Sequence, residues 1–315
     1  MECRYLGDTG INVSRMCFGA LTIGPLQERL PLGEGAAVIR SALEHGVNFI
    51  DTAQMYGTYS YIRKALKGFG GQVVVASKSY AYTREDMAKA LEEARREMDL
   101  DVVDIFMLHE QESIQTIRGH GEALDFLVEA KAKGLVRAVG LSTHRVSGVE
   151  AAIQVPEIQV VHPMVNFKGV GIQDGTIKDM LAVLDKAYRA GKGIYGMKPL
   201  GGGNLMHQFE EAFSFVLGLP QLASVALGMK SVAEVELNVQ IFNGEKVSPQ
   251  LMDKVRGLTR RLHIEDWCQQ CGRCIERCHS GALTMAGGKV AVEKEKCVLC
   301  GYCGAVCAEF CIKII

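Results

Sequence analysis

Four side chains able to move protons, Asp51, Tyr56, Lys78 and His109, lie in the first half of this 315-residue chain. Asp51 closes a short apolar run within FIDTAQMYG (49–57), and Tyr56 follows in the same Gly-terminated segment. Lys78 ends VVVASK and His109 ends DIFMLH. A phenol with an ordinary pKa near 10 is a poor acid at neutral pH. An ammonium beside it favours the phenolate and lowers that pKa, and a carboxylate holds the ammonium charged and oriented. The expectation is that Lys78 lowers the Tyr56 pKa, with Asp51 behind the lysine. His109 would then hydrogen-bond a carbonyl oxygen, and Tyr56 would protonate that oxygen as hydride reaches the carbon. Singly, a strand-end Asp or Lys is as readily half of a surface ion pair, and a lone His a satisfied rim residue. Their arrival at the ends of three consecutive strands favours the catalytic reading.

A second set of reactive residues closes the chain. Nine of the eleven cysteines lie after residue 267. CQQCGRCIERC (268–278) recurs as CVLCGYCGAVC (297–307), every cysteine displaced by 29 residues. Two runs of CxxCxxCxxxC have the bacterial ferredoxin spacing, in which the fourth cysteine of each run reaches the other run's cluster. On that pattern Cys268, Cys271, Cys274 and Cys307 hold one [4Fe–4S] cluster, and Cys297, Cys300, Cys303 and Cys278 hold the second. The proline that usually follows the fourth cysteine is replaced by His279 and Ala308. A pair of Cys₄ zinc sites needs only CxxC pairs and leaves two further cysteines per run unexplained. Clusters that merely staple a tail too small to fold alone are the other alternative. Cys311 stands 29 residues after Ala282 and is expected to fill a small core position; Cys3 and Cys17 read as buried thiols. Trp267, the only tryptophan, is expected to pack the cysteine segment against the rest of the chain, shield a cluster, or anchor a core.

The elements that must position these groups alternate. Strands are expected at Val13–Gly19, Asn48–Thr52, Val73–Lys78, Ile105–His109, Arg137–Ser142, Ile158–Asn166, Gly193–Pro199 and Ser224–Gly228, each followed by a stretch at helical spacing. Eight βα units over about 245 residues fit an α/β (β/α)₈ TIM barrel, whose catalytic groups sit at the C-terminal ends of its strands. A doubly wound sheet is the rival, but no GxGxxG follows the first strand. The division is a barrel over 1–245, a helical connector over 246–266 (Leu251–Leu262 being charged and helical), and a cysteine module over 267–315 with a hairpin around Ala286-Gly287-Gly288. The chain is 48% hydrophobic with a net charge of −1, which gives no reason to expect nucleic acid or an acidic membrane as partner. No apolar run approaches the length of a membrane span, and the polar N-terminus has no secretory core. Crowded cysteines without an export signal point to metal, and to a soluble protein of a reducing cytoplasm.

Beyond these readings, the barrel portion resembles the aldo-keto reductases. The resemblance runs through RYLGDTGINVSRMCFGALTIG (4–24), FIDTAQMYG, the lysine and the histidine, then GLSTH (140–144), MKPLGGG (197–203) and GMKSVAEVELN (228–238). It implies that Asp51, Tyr56, Lys78 and His109 are a catalytic tetrad with Tyr56 as proton donor. It also implies NADP(H) or NAD(H) in an extended pose. The contacts it assigns are Gly19, Ser142, Asn166, Met197, Pro199, Leu200, Gly228, Lys230, Ser231, Glu234 and Asn238. The family's pattern is departed from at Thr143, His162 and Met197. Glu234 falls where a cation commonly meets the 2′-phosphate; a carboxylate there repels phosphate and suits a ribose hydroxyl, with Lys230 as compensation.

The expected function is an iron–sulfur aldo-keto reductase acting on a small carbonyl compound, with a redox protein such as a ferredoxin as a partner. A nicotinamide passes two electrons as hydride and each cluster passes one. The alternatives are that clusters feed the substrate directly, or that the barrel is a sensor on an electron-transfer protein.

Overall fold

The computed structural model describes residues 1–315. A hairpin of β1 (Cys3–Tyr5) and β2 (Asn12–Ser14) precedes the barrel. The barrel strands are β3 (Met16–Gly19), β4 (Phe49–Asp51), β5 (Val74–Ser79), β6 (Val103–Leu108), β7 (Val136–Thr143), β8 (Val160–Pro163), β9 (Gly193–Met197) and β10 (Ser224–Gly228). They are all parallel and close in chain order, β10 returning to β3. The expected (β/α)₈ barrel is therefore present. The expected strand Val13–Gly19 is two strands: Ser14 leaves the hairpin, and the barrel starts at Met16. The hairpin has a structural use, because Leu6, Ile11 and Val13 join the buried cluster that fills the barrel.

Strand period two explains which residues face inward. Phe49, Val74, Ala76, Ile105, Met107, Val160 and Tyr195 belong to the interior cluster, while Ile50, Val75, Phe106, Val161 and Ile194 face the outer helices. Each inward series reaches the barrel mouth two residues later, at Asp51, Lys78, His109, His162 and Met197.

The outer helices have local reasons to form. The helix α1 (Leu32–Glu44) is followed by α2 (Tyr59–Leu66) and α3 (Arg84–Met98). At α3 the Thr83 side chain accepts from Asp86 N–H, acids occupy the first turn, and Arg95 and Arg96 the last, which suits the helix dipole. Asp99 ends it in a left-handed conformation. Then come α4 (Ile114–Gly119), unanticipated in the sequence, α5 (Gly121–Ala132), α6 (Val146–Gln154), α7 (Ile177–Arg189), α8 (Phe209–Leu217) and α9 (Val232–Phe242). The helix α4 is short, and its capping box is Ser113 with Thr116 rather than a glutamate.

The connector differs from expectation. Helix α10 (Pro249–Arg256) is shorter than Leu251–Leu262, and residues 262–264 form β11 (Leu262–Ile264), paired antiparallel with β14 (Ile312–Ile314). The cysteine module therefore begins at Leu262, inside the expected connector. Within it, β12 (Leu283–Ala286) and β13 (Lys289–Val292) form the expected hairpin, with Gly287 and Gly288 both at positive φ as a two-residue turn requires.

The 29-residue repeat is also a repeat of geometry. Helix α11 (Arg273–Glu276) corresponds to α12 (Tyr302–Ala305). Left-handed Gln270, Gly272 and Gly281 correspond to left-handed Leu299, Gly301 and Phe310.

Candidate active site

The mouth of the barrel gathers the four sequence-predicted side chains. Lys78 donates to both Asp51 oxygens and to the Thr52 carbonyl, each at 2.8 Å, so all three ammonium protons are committed. Both members of the pair are buried. Tyr195 donates its hydroxyl to Asp51 Oδ1 at 2.8 Å, and His162 stacks on the Tyr195 ring with centroids 3.9 Å apart. His162 Nδ1 lies 2.7 Å from the Tyr195 carbonyl oxygen and Nε2 lies 3.7 Å from Asp51 Oδ1. The carboxylate is thus held from the lysine side and the tyrosine side. Tyr195 escaped the sequence reading. Its signal was parity, two residues before Met197 on the same inward face.

The Tyr56 phenol is not lowered. Burial and the nearby Asp51 and Glu110 charges push it well above its ordinary value. The expected depression by Lys78 fails for a geometric reason: its ammonium lies beside the Tyr56 ring, 5.1 Å from the centroid, with its protons spent on Asp51 and Thr52. Tyr56 is therefore a protonated donor at any physiological pH. The His109 ring meets Tyr56 edge-on at 5.9 Å and stacks on Tyr80 at 4.2 Å. Burial first, and then the Lys78 charge, push His109 well below its usual pKa, so it is neutral. Its buried Nδ1 has no hydrogen-bond partner in the protein. His109 lines a second cavity with Gln54, Ser79 and Tyr80, separate from the one that Tyr56 lines.

Asp51 and Tyr56 line a cavity of about 500 Å³, within the usual range for small-molecule sites. It continues past Met197, Pro199 and Leu200 to Gly228, Lys230, Glu234 and Asn238, with Gly19 on its wall. A Cβ at Gly228 would lie 2.0 Å from Thr22 Oγ1, so only glycine fits that wall. Three predicted contacts lie elsewhere. Ser142 Oγ accepts from Glu110 N–H, Asn166 spends both amide atoms on the Val170 backbone, and Ser231 caps α9. All three serve loop and helix structure. Glu234 is not a bare negative charge: Arg260 binds it at 2.9 Å, and the Lys230 backbone N–H donates to it at 2.7 Å. Lys230 is itself paired with Glu28 at 3.0 Å. Arg256 and Arg260 of the connector line this end of the cavity, and the sequence reading had given them no role.

No disulfide joins any of the eleven cysteines of the chain, nine of which lie in the cysteine module. Cys278, Cys297, Cys300 and Cys303 line one cavity together. Cys268, Cys271 and Cys307 act electrostatically on Cys274, whose thiol burial raises. The Ala282 and Cys311 backbone N–H groups donate to Cys278 and Cys307 sulfur at 3.3 and 3.2 Å, one donor in each repeat. No three His, Cys, Asp or Glu side chains converge closely enough to hold a single metal ion. Cys17 and Cys311 are buried as expected, whereas Cys3 is exposed on the hairpin. Trp267 is half exposed and donates to the Glu309 carbonyl within the module.

Module and barrel are joined through the glycines after β9. Ile314 N–H donates to the Gly202 carbonyl at 2.9 Å, and Asn204 bridges the Gly201 and Ile312 carbonyls. A Cβ on Gly203 would meet the Ile314 oxygen at 2.1 Å, and one on Gly301 the Asn204 oxygen at 2.2 Å. Phe310 completes the seam among Met164, Val170, Met197 and Leu205.

A closed parallel barrel with a buried Asp–Lys pair, a phenol and a neutral imidazole at its mouth defines a barrel enzyme of the proton-transfer kind. The Aldo/keto reductase family profile matches residues 15–211. The chain belongs to that family of oxidoreductases. It is 25% identical to L-galactose dehydrogenase of Arabidopsis thaliana over 281 residues, covering 76% of this chain and 87% of that one. It is 29% identical to pyridoxine 4-dehydrogenase of Escherichia coli over 221 residues, 62% of this chain and 74% of that one. Among solved structures, a putative aldo-keto reductase of Pseudomonas aeruginosa superposes with a TM-score of 0.65 at 23% identity, covering 77% of this chain and 94% of that one. No helix is long and apolar enough to cross a membrane.

Proposed function

We propose that the chain reduces, and in reverse oxidises, a small carbonyl compound at the barrel mouth, with NAD(P)H as hydride source and two [4Fe–4S] clusters in its C-terminal module. The observation that carries the reading is the buried Asp51–Lys78 pair with its ammonium beside the ring of Tyr56, whose protonated phenol lines the cavity. The chemistry a nicotinamide would supply there, when bound, is hydride for the carbonyl carbon. His109 orients the carbonyl oxygen, and Tyr56 gives it a proton as negative charge develops there, leaving the alcohol. The raised phenol pKa holds the proton on Tyr56 until charge develops on the carbonyl oxygen. Lys78, drawn partly from Asp51 toward the developing phenolate, would supply the stabilisation it withholds at rest.

Met197, Pro199, Leu200, Gly19, Gly228, Lys230 and Asn238 would hold the dinucleotide along the cavity they line. Arg256 and Arg260 there favour a 2′-phosphate, because Arg260 already neutralises Glu234. That observation inclines the reading to NADPH over NADH.

The spacing of the thiols suits clusters better than zinc. Cys278, Cys297, Cys300 and Cys303 line one cavity, which would suit a cubane that takes one cysteine per iron. Cys268, Cys271, Cys274 and Cys307 would hold one cluster and Cys297, Cys300, Cys303 and Cys278 the other, making the module ferredoxin-like. The clusters would supply one-electron exchange with a redox partner protein. The seam on Gly201–Asn204 fixes the module against the active-site wall, which favours a role in turnover over a mere staple.

The test is Tyr56→Phe in anaerobically prepared protein of measured iron and sulfide content. Carbonyl reduction should fall about 10²–10⁴-fold, with nucleotide affinity kept. Undiminished turnover in the variant would favour clusters feeding the substrate through other groups, and no turnover in either protein would favour the sensor.

A further inference from the structure

The two halves of the 29-residue repeat share a backbone but not a set of side chains. The differences fall where the second half meets the barrel. At Gly272 a Cβ would have nothing within 4 Å, whereas at its counterpart Gly301 it would collide with the Asn204 carbonyl. Ile275 is replaced by Gly304, where even a Cβ would collide with the Asn204 side chain. Gly281, with open space beside it, is replaced by Phe310, buried among Met164, Met197 and Leu205. Glycine stands where any side chain would clash, and phenylalanine fills what would otherwise be a void. The second half is shaped to the barrel, and the first is not.

Leu299, between Cys297 and Cys300, is where this fit reaches a ligand site. It lines the cavity that Tyr56 lines, and it also lines the cavity of Cys278, Cys297, Cys300 and Cys303. No other residue belongs to both. Its counterpart Gln270 has the same left-handed backbone, φ 57° against 52°, but is exposed to solvent and lines neither cavity. Ile314 and Ile315 extend the wall that Leu299 begins. Ile314 N–H donates to the Gly202 carbonyl at 2.9 Å, and the Ile315 carbonyl accepts from Arg261 N–H at 2.8 Å, so the wall is pinned on two sides. No residue of the first cysteine run, 268–278, lines the barrel cavity, and Phe310 packs on Met197 without lining it.

We propose that Leu299 is a nucleotide-binding residue which the cysteine module supplies to the barrel, and that it couples the nucleotide to one cluster alone, that of Cys278, Cys297, Cys300 and Cys303. The nucleotide rests on one side of this side chain, and the loop that carries two of the cluster's cysteines holds the other. Each occupant therefore restrains the leucine on which the other depends. Such coupling is reciprocal: the cluster tightens the nucleotide by the factor with which the nucleotide tightens the cluster. The cluster of Cys268, Cys271, Cys274 and Cys307 has Gln270 at this place, in water, and stays uncoupled. The inference rests on the nicotinamide reading for what fills the barrel cavity; the wall itself stands on the seam.

The experiment follows iron release from the full, cluster-loaded chain into a chelator, with and without saturating NADP⁺, beside equilibrium titration with NADPH. NADP⁺ should slow the release of half of the iron about tenfold and leave the other half as it was. Leu299→Ala should abolish that slowing and weaken NADPH binding about tenfold, while Gln270→Ala does neither. Iron content and melting temperature show whether the Leu299→Ala module is intact. Where it is not, Leu299→Gln decides, because the first half of the repeat carries glutamine on the same backbone; it too should lose the slowing. Equal slowing of all the iron, or slowing that survives in an iron-replete Leu299 variant, overturns the assignment to this residue. Nucleotide bound with no slowing overturns the coupling. If the unaltered chain binds neither nucleotide, the nicotinamide reading fails instead, and hydrogen exchange decides the wall. Exchange over 200–206 should rise when the chelator strips the iron, and unchanged exchange there overturns the wall.

Discussion

Asp51→Asn is the substitution whose consequence the geometry fixes most tightly. The Asp51 carboxylate accepts two bonds from Lys78 and one from Tyr195, all at 2.8 Å, and the side chains of the pair are 6% and 1% exposed. An amide of the same shape can still accept from Tyr195 but offers Lys78 no charge. Removing one partner of a buried pair costs about 3–5 kcal/mol because the other charge is left uncompensated. Each kcal/mol lowers the melting temperature of a domain of this size by about 2–4 °C, so a fall of about 6–20 °C is expected. Lys78→Met in the same chain removes the stranded charge, and the double variant should recover most of the lost stability. Neither protein should reduce carbonyls. The assay is thermal unfolding of four proteins as a double-mutant cycle. Additive losses would refute the account, because they would mean that the two side chains are not coupled.

Three further outcomes follow from other parts of the structure. Burial holds His162 at about 4 against an ordinary 6.5, so the unfolded chain binds the extra proton first as pH falls. Stability should therefore drop by up to about 3 kcal/mol between pH 6.5 and 4 and level off below; chemical unfolding of His162→Gln over that range should show a shallower slope. Arg260→Ala frees the Glu234 carboxylate at the far end of the cavity, and equilibrium titration should show NADPH affinity falling about tenfold while NADH changes little. Cys278→Ser and Cys307→Ser each remove one ligand from a proposed cluster, and iron analysis should show loss of the cluster served by that cysteine alone, which tests the crossed pairing.

The barrel was legible because its strands alternate: Phe49 and Asp51, or Val74, Ala76 and Lys78, share one face in any strand reading. The placing of Asp51, Lys78 and His109 at the mouth was legible for the same reason, each continuing an inward series, whereas Tyr56 lies in the turn after β4. What stayed hidden depends on distant contacts. Tyr195 meets Asp51 across 144 residues, and Asn204 meets Ile312 across 108; no local pattern announces either. β11 was missed because three residues after a charged helical stretch carry too little periodicity, and its partner β14 lies at the other end of the module. Ser142, Asn166 and Ser231 were assigned by likeness of motif, and the structure spends their side chains on neighbouring backbone. The direction of the Tyr56 shift failed for a related reason. Sequence places a lysine near a phenol but cannot say where its three protons point.

Anaerobic titration of the cluster-loaded protein with NADPH and with NADH, following binding and visible cluster absorption together, tests the central claim directly. Tight binding of NADPH, weaker binding of NADH and concurrent bleaching are the predicted results, joining a hydride site to the clusters. Failure of both nucleotides to bind would contradict the hydride mechanism and leave a barrel site fed by the module alone.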